Sequence, residues 1–453
     1  MTREGFLPVT SNAYAGLGFA AEAPVLFEFP NKMGLEGSDL SPISENVNLI
    51  AGGLTRWEPK IKAKGFYPAP LVSIEGKDYA TAYANVNYHF MQNLWGDGLP
   101  ITPPTDALVN WILTGTDLQP DTVVAKILPK GGVATVHSVA VNLAMAGGRP
   151  EYMPVLIAIT KAISEPRFQL QNISPSSNSN YIAVVVNGPA AKDIRLNSGY
   201  GLIGPDSMHP AGGCIGRALA FILQNPGGAI PGIGAMELYG GLRHTNAVFA
   251  EDETGLPKGW ESFGVERGHQ TGDNIVTVLP VSSAVNITIM ISDHKAADTA
   301  ALGYLHRIAS NLRACNANVW INESDHHTPD YAPGFLLLPR TWAQAWANLG
   351  WDKLKVKAWL REHSSVPLEE LDRWGLASHG RVSGAASETN PGRIAMRDEQ
   401  IRIVVAGGAQ SAHAYWMEVG KNTEMVTTKV ELPQKWQELI KASEVDLGPM
   451  PPS

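Results

Sequence analysis

An unbroken apolar run at residues 181–186 constrains the fold of this chain more than any other segment. Its β-branched residues follow one another without polar alternation, which is typical of a strand that is buried on both faces. The run ends in Asn187-Gly188-Pro189, a turn signal at the carboxyl end of the strand. Open α/β sheets tend to bind ligands at such ends. The run therefore predicts an α/β fold with a covered sheet and a site near Asn187.

A second apolar run, residues 401–406, ends in Gly407-Gly408 and resembles the first strand with its turn. The resemblance indicates a weak internal duplication, although two such edges also arise by chance in α/β chains. We expect two related lobes of covered mixed sheets with flanking helices, and an extended N-terminal arm. The arm spans residues 1–75 and makes subunit contacts. The first lobe spans 76–292 and holds the main site loop, and the second lobe spans 293–453.

Apolar spacing predicts the other elements. Residues 201–225 contain a loop that opens onto a helix. We expect further helices at residues 78–95, 106–113, 133–146, 151–163, 296–315, 341–349, 352–363 and 432–443, with Thr105 as the N-cap of the helix at 106–113. We expect further strands at residues 275–279, 285–291, 318–321 and 335–338.

Charge and composition exclude several classes of protein. The net charge is −8 and no run of lysine or arginine contradicts it, so we expect no nucleic-acid partner. The N-terminus lacks the pattern of a secretory signal, and no segment approaches the ~18 apolar residues of a membrane span. The 2 cysteines cannot build a disulfide framework. We predict a cytoplasmic protein without a membrane partner. The unpatterned arm and the 12 tryptophans also predict a homo-oligomer.

The loop and helix at residues 201–225 form the clearest candidate site. Glycines, prolines and a histidine fill the first half, and an apolar helical pattern fills the second half. A glycine-rich loop that opens onto a helix presents bare N–H groups to an anion or to a polarised substrate. We therefore assign Gly212, Gly213 and the Arg217 guanidinium to substrate binding and to stabilisation of developing negative charge.

Two side chains of this segment are candidate catalytic groups. Cys214 lies in the first helical turns with Arg217 one turn later, a setting that favours a thiolate nucleophile. The alternative for Cys214 is a small residue that fills a tight contact between helix and loop. His209 precedes Pro210, and its restricted backbone suits a positioned base, or a loop histidine that packs on a neighbour.

A second group of candidates follows a short apolar run. Glu251, Asp252 and Glu253 come directly after that run, and His244 precedes it. Acids at the end of a strand act as general bases or bind a metal ion, and they also occur in solvated turns. We assign Glu251 and Glu253 to catalysis, and Asp252, His244 and Asn187 to substrate binding.

The motif search predicts no nucleotide cofactor, and we name no cofactor. The chain has no GxxxxGK[ST], HExxH, CxxC or GxSxG motif, which disfavours a serine hydrolase of the usual kind. A divalent metal is an alternative at residues 251–253, or in the loop at residues 323–330, which contains adjacent histidines.

Four phrases resemble a poorly characterised bacterial family. They are GDGLPITPPT (96–105), VVVNGPAA (184–191), CIGRALAFILQNPGG (214–228) and FAEDE followed by GWESFGVERG (249–268). The resemblance covers roughly residues 65–420. Neighbours of this family carry a cysteine- or selenocysteine-containing UGSC motif, which implies a possible thiol- or selenol-bearing partner protein, and the family itself implies no assigned reaction.

The resemblance also marks two departures of this chain. Family members usually have a small residue at the position of Cys214, which leaves Asn187, Arg217 and the acids 251–253 as the matching polar residues. Related sequences place an acid and a histidine after a proline where this chain has Pro339-Arg340-Thr341-Trp342.

These residues favour an enzyme that acts on a small polar or anionic molecule. We expect acid–base chemistry with oxyanion stabilisation, as in a lyase, a hydratase or a hydrolase. One alternative is a non-catalytic or half-site subunit that binds a ligand or docks a thiol or selenol partner. Another is a metal-dependent hydrolase.

Overall fold

The computed structural model describes residues 2–3, 5–16, 19, 28–29, 39–58, 71–288, 297–316, 327–373, 389–410, 412–420 and 423–449. Its helices are α1 (Leu7–Gly16), α2 (Ser41–Glu45), α3 (Val47–Arg56), α4 (Tyr79–Gln92), α5 (Asp106–Leu113), α6 (Val136–Met145), α7 (Met153–Ile163), α8 (Leu170–Ile173), α9 (Pro189–Asp193), α10 (Pro210–Gln224), α11 (Phe263–Glu266), α12 (Ala297–Asn316), α13 (Arg340–Asn348), α14 (Lys353–His363), α15 (Leu368–Arg373) and α16 (Trp436–Leu447). Its strands are β1 (Thr2–Arg3), β2 (Glu28–Phe29), β3 (Val123–Ile127), β4 (Gly132–Thr135), β5 (Tyr181–Asn187), β6 (Ala247–Ala250), β7 (Ile275–Thr288), β8 (Gly334–Leu338), β9 (Arg402–Val405), β10 (His413–Val419) and β11 (Val426–Lys429).

The predicted α/β class is confirmed. Within the described residues, a mixed sheet of seven strands has the order β6-β5-β7-β10-β8-β9, with β11 beside β7. All residues of β5 are buried, as the apolar run predicted. Thr105 caps α5 by accepting a hydrogen bond from the Leu108 amide, also as predicted. The strand predicted at residues 318–321 lies outside the described residues.

The sheet has two halves with the same order and direction of strands. β5 is parallel to β6 and antiparallel to β7, and β8 is parallel to β9 and antiparallel to β10. The halves join where β7 and β10 pair antiparallel. β9 is therefore the counterpart of β6, whereas the resemblance between the two apolar runs, 181–186 and 401–406, had matched β9 with β5. The two predicted lobes share one sheet, and their expected boundary near residue 292 lies outside the described residues.

The strand predicted at residues 275–279 and the described part of the strand predicted at residues 285–291 form the single strand β7. Pro280 lies within β7, at the point where one side of this strand changes partner from β11 to β10. A proline is tolerated at that point because no continuous ladder needs its missing N–H there. Sequence reasoning also missed β3, β4, β10 and β11.

The sheet curls until its two edges meet. The Asp252 amide, just beyond β6, donates to the Val405 carbonyl at the end of β9 over 2.8 Å. The Gly407 amide donates to the Ser198 carbonyl over 2.9 Å. One core, which includes Phe249 and Phe335, is formed by side chains that point into the curl. Two other cores lie outside the curl, one beneath α6, α7 and α10, the other beneath α12, α13 and α14.

The C-terminal segment packs on the first half of the sheet. β11 pairs with the start of β7, and the Trp436 indole of α16 donates to Asp193 over 2.9 Å. Ser443 of the same helix donates to the buried Glu151 carboxylate over 2.7 Å. The chain therefore crosses back from the second half to close over the first. In the described part of the chain, no helix combines the length and the apolar character that membrane spanning needs.

Candidate active site

Asn187, Glu251 and Glu253 meet where β5 and β6 end. Because these strands are parallel neighbours, their carboxyl ends lie at the same edge of the sheet. The Asn187 amide nitrogen donates to Glu251 Oε2 and to Glu253 Oε1, over 2.7 Å each. One buried amide thus holds two carboxyl groups together, and the sequence had placed all three residues at this edge.

The Glu251 side chain is fully buried. Its Oε2 also accepts a hydrogen bond from the Phe263 amide over 2.6 Å, and its Oε1 lies 3.9 Å from Lys353 Nζ. Burial raises the pKa of Glu251, although Lys353 and these hydrogen bonds act in the opposite direction. Glu251 Oε1 and Asn187 Oδ1 have no hydrogen-bond partner among the described residues.

Glu253 lies at the rim of the same cluster. Its side chain is partly exposed, and its Oε2 accepts from the Gly188 amide over 3.4 Å. Gly188 has φ +94, and a Cβ there would lie 2.4 Å from the Asp273 carbonyl oxygen, so the turn that presents this amide needs glycine. Glu253 is therefore the more exposed acid of the pair.

Asp252 links the first half of the sheet to an arginine of the second half. Its Oδ1 accepts from the Gly255 amide and the Thr254 hydroxyl, over 3.0 Å each. Its Oδ2 lies 3.7 Å from Arg340 Nη1, and the Arg340 side chain is 48% exposed. Arg340 begins α13 directly after β8, and its amide donates to the Gly408 carbonyl over 3.2 Å. Sequence reasoning marked Arg340 only as a departure from the family pattern.

Two buried lysines of α14 extend the cluster inward. Lys353 donates to the Glu261 carbonyl and lies 3.1 Å from Glu266, and Lys357 donates to the same Glu266 carboxylate over 2.7 Å. Burial alone would raise the pKa of Glu266, but the two ammonium groups lower it. Burial lowers the pKa of Lys357 to about 8. No sequence signal pointed to these lysines, because they lie about a hundred residues from the acids.

The opening of α10 is packed against the end of β6. A Cβ at Gly212 would lie 2.6 Å from the Val248 carbonyl oxygen, and one at Gly216 would lie 1.9 Å from that of Thr245. A Cβ at Gly213 would lie 3.2 Å from Pro205. Two of these glycines therefore serve close contact between helix and strand, a structural reason that the anion-binding interpretation had not considered.

His209 and the start of α10 lie at the same end of β6 as the acids, and Asn197 connects them to that end. The Asn197 carbonyl accepts from the Ala250 amide over 2.8 Å, and its side-chain amide lies 3.3 Å from Asp206 Oδ2. Asp206 accepts from the His209 amide and contacts its ring nitrogen over 3.0 Å. Burial alone would raise the pKa of Asp206, but the hydrogen bonds from His209 and Met208 lower it. His209 is paired with Asp206, and three contacts in series connect it to Ala250, the residue before Glu251.

Arg217 and Cys214 serve the packing of α10. Arg217 forms a bidentate ion pair with Asp97, over 2.7 and 2.9 Å, and donates to the Pro100 carbonyl over 3.0 Å. Its guanidinium is thereby committed to the loop at residues 96–100. The Cys214 thiol contacts the Gly147 carbonyl over 3.7 Å, and burial raises its pKa despite the nearby Arg217. This environment does not favour a thiolate.

His244 lies at the other end of β6. It closes a short 3-10 turn before the strand, is exposed, and contacts the Gly241 carbonyl through Nδ1 over 3.1 Å. The structure therefore does not bring His244 to the acids. Trp342 lies in the segment 339–342, where this chain departs from the family pattern. Its ring stacks on Tyr304 with 3.9 Å between ring centroids.

Sequence reasoning also missed a GxGxxG spacing at Gly199, Gly201 and Gly204. This spacing marks a dinucleotide loop only where it follows a strand directly and opens a helix. Here α9 separates it from β5, and residues 205–209 separate it from α10. The exposed Tyr200 side chain instead covers Gly408, at 3.2 Å from an ideal Cβ there.

Metal ligation finds no support in the described parts of the chain, where no three His, Cys, Asp or Glu side chains are grouped to hold an ion. The first half of the loop predicted as a metal alternative, residues 323–326, lies outside those parts. No protein-family model, no curated protein and no solved structure matches this chain.

Proposed function

We propose that this protein is an enzyme that transfers a proton to or from a small polar or anionic molecule, with Glu253 as the catalytic residue. The observation that carries the proposal is the Asn187 amide, which donates to Glu251 and Glu253 at once. An amide that joins one buried and one reachable carboxyl group gives the pair unequal environments. Such an arrangement separates a neutral acid from an ionised base.

Glu251 is the neutral member and a positioning residue. Its carboxyl group is sealed from solvent, so it does not touch the substrate and instead fixes Asn187. Glu253, held by Asn187 and the Gly188 amide, is the proton-transfer group. Proton transfer by a positioned carboxylate contributes about 10²–10⁴-fold to a rate. The reaction class is that of a lyase, a hydratase or a hydrolase.

Arg340 is proposed to bind the negative charge of the substrate. Its half-exposed guanidinium lies at the rim with Asp252, and an arginine can bind a carboxylate through two parallel hydrogen bonds. This role replaces the one that the sequence had given to Arg217, whose guanidinium is paired with Asp97.

The second candidate is a half-site subunit, and exposed side chains beside the cluster favour it. Tyr200 is 66% exposed and Met208 is 52% exposed, in the loop between α9 and α10. Such side chains suit a docked partner protein, which the family resemblance would make a thiol or selenol carrier. We also propose a cytoplasmic location and membership of the resembled family.

The experiment incubates the protein in D2O with a panel of hydroxy, oxo and unsaturated carboxylic acids and follows turnover and deuterium incorporation by NMR. We expect the native protein and Glu444→Gln, an exposed control, to react alike. Glu253→Gln should lower the rate about 10²–10⁴-fold, since it removes the proton-transfer group. Arg340→Met should raise KM more than it lowers kcat.

Two outcomes would contradict the enzyme proposal. One is that Glu253→Gln turns over a reactive compound at the native rate. The other is that no panel member reacts with the native protein, while a thiol-bearing partner protein binds at Tyr200 and Met208.

A further inference from the structure

The apolar stripe of α3 faces solvent. Val47 and Leu54 lie seven residues apart and are 54% and 82% exposed, and no residue of α3 is buried. Trp57, which follows α3, is 38% exposed, and its ring packs against Tyr14 and Phe19. A ten-residue helix is marginal in water unless its apolar face is covered. The stripe therefore indicates a partner surface.

The segment from α4 to Leu99 presents a second uncovered surface. The α4 sequence contains no Asp, Glu, Lys or Arg. Tyr88, Met91 and Trp95, spaced three and four residues apart, are 58%, 43% and 41% exposed, and Leu99 is 55% exposed. Asp97, the acid of this segment, is paired with Arg217. A surface rich in Tyr, Trp and Met and depleted of charge has the composition of an interface core.

The first half of this surface is already anchored to its own chain. Val86 and Phe90 of α4 pack against the core beneath α6, α7 and α10. The Gln224 amide donates to the Leu94 and Gly96 carbonyls over 2.8 and 2.9 Å. The exposed side chains are thus presented on a fixed support, as a docking surface requires.

We propose that two copies of this chain associate, with α3 of each copy covering the α4–Leu99 surface of the other. Every copy carries both surfaces, so a two-fold axis would bury both sets at once. A stable interface buries roughly 800 Å² per partner, and a two-fold dimer would use both surfaces of each copy toward that area. α4 contains no Asp, Glu, Lys or Arg, and Arg56 is the one such residue of α3, so the two surfaces fit a second copy better than a strongly charged partner.

The first test measures mass in solution by light scattering. The native protein should have the mass of a dimer. Leu54→Glu and Tyr88→Glu should each weaken the dimer about 100-fold or more, because a charge would be buried without a partner. Val445→Glu, on the equally exposed Val445 of α16 (83%), should leave the dimer intact. Circular dichroism checks that each variant is folded.

The second test places a photo-crosslinking residue at position 54 and co-expresses that chain with a differently tagged copy. Mass spectrometry should find crosslinks from position 54 to residues 79–99 of the other copy. A monomeric native protein, crosslinks confined to the same copy, or a dimer that joins elsewhere would each overturn the proposal. So would a monomer whose position 54 reacts only with added lipid vesicles.

Discussion

At the residue scale, the acids at the end of β6 differ in burial more than in chemistry. Glu251 and Glu253 share the Asn187 amide, yet one carboxyl group is sealed and the other reaches the rim. Because a buried charge is costly, the sealed group favours its neutral form. The assignment of a proton-transfer role to Glu253 follows from this difference.

Replacement of Glu251 by Gln should make the stability less dependent on pH. Burial raises the pKa of Glu251 in the folded state, so the native protein loses stability as pH rises above the unfolded-state value of 4.5. Glu251→Gln keeps the shape of the neutral acid and removes this loss. Relative to the native protein, its Tm should therefore rise as pH increases from 4.5 to the folded-state pKa of Glu251 and level off above it, as measured by calorimetry.

The control is Glu266→Gln, which changes the other buried acid near Lys353. The pKa of Glu266 is lowered, so its contribution is present above the unfolded-state value and is lost as pH falls. Its replacement should lower the stability at pH 7 by about 3–5 kcal/mol, because Lys357 loses its partner. If Glu251→Gln is destabilised at pH 7 in the same way, Glu251 is ionised and paired with Lys353.

At the scale of elements, α10 shows why glycine density is an ambiguous signal. Gly212 and Gly216 lie one turn apart on the helix face that meets β6, where side chains would overlap strand carbonyls. Arg217 faces the loop at residues 96–100 and holds it through Asp97. The helix therefore joins two segments of the first half, and its composition reflects that contact.

Gly216→Ala should destabilise the protein by about 3 kcal/mol or more, because the added methyl group would lie 1.9 Å from the Thr245 carbonyl oxygen. Gly303→Ala is the matched change within α12, where nothing lies within 4 Å of the added atom. That variant should gain about 0.5–1 kcal/mol from helix propensity. Urea unfolding measures both. Equal effects of the two substitutions would show that α10 does not approach β6 so closely.

At the scale of the whole molecule, the curled sheet makes its two halves interdependent. β7 and β10 pair across the junction, the edges meet through Asp252 and Val405, and Lys353 of the second half lies beside acids of the first. The C-terminal β11 and α16 then pack on the first half. The candidate site, at the carboxyl ends of β5 and β6, therefore contains residues of both halves.

Fragments that separate the halves should not fold. Two fragments, residues 76–292 and residues 293–453, should each lack a cooperative thermal transition when they are expressed alone. Each would expose an unpaired strand edge at the former junction, that of β7 in the first fragment and that of β10 in the second. A fragment of residues 71–453 lacks α1, α2 and α3 of the arm and should keep the transition, although it should lose the proposed dimer. Circular dichroism and amide NMR spectra test the three chains. A native-like spectrum from either half alone would contradict the shared-sheet interpretation.

The sequence by itself determined the α/β class, the longer helices from α4 onward, the strands β5 to β9, and the positions of Asn187, Glu251 and Glu253 at the ends of two apolar runs. It could do so because local periodicity reports burial, and because parallel neighbouring strands bring their carboxyl ends together. Only the tertiary structure decided the partners of the charged groups: Asp97 for Arg217, Asp252 for Arg340, and Glu266 for Lys353 and Lys357. Those choices depend on the strand order and on the curl of the sheet, which bring together residues far apart in the chain.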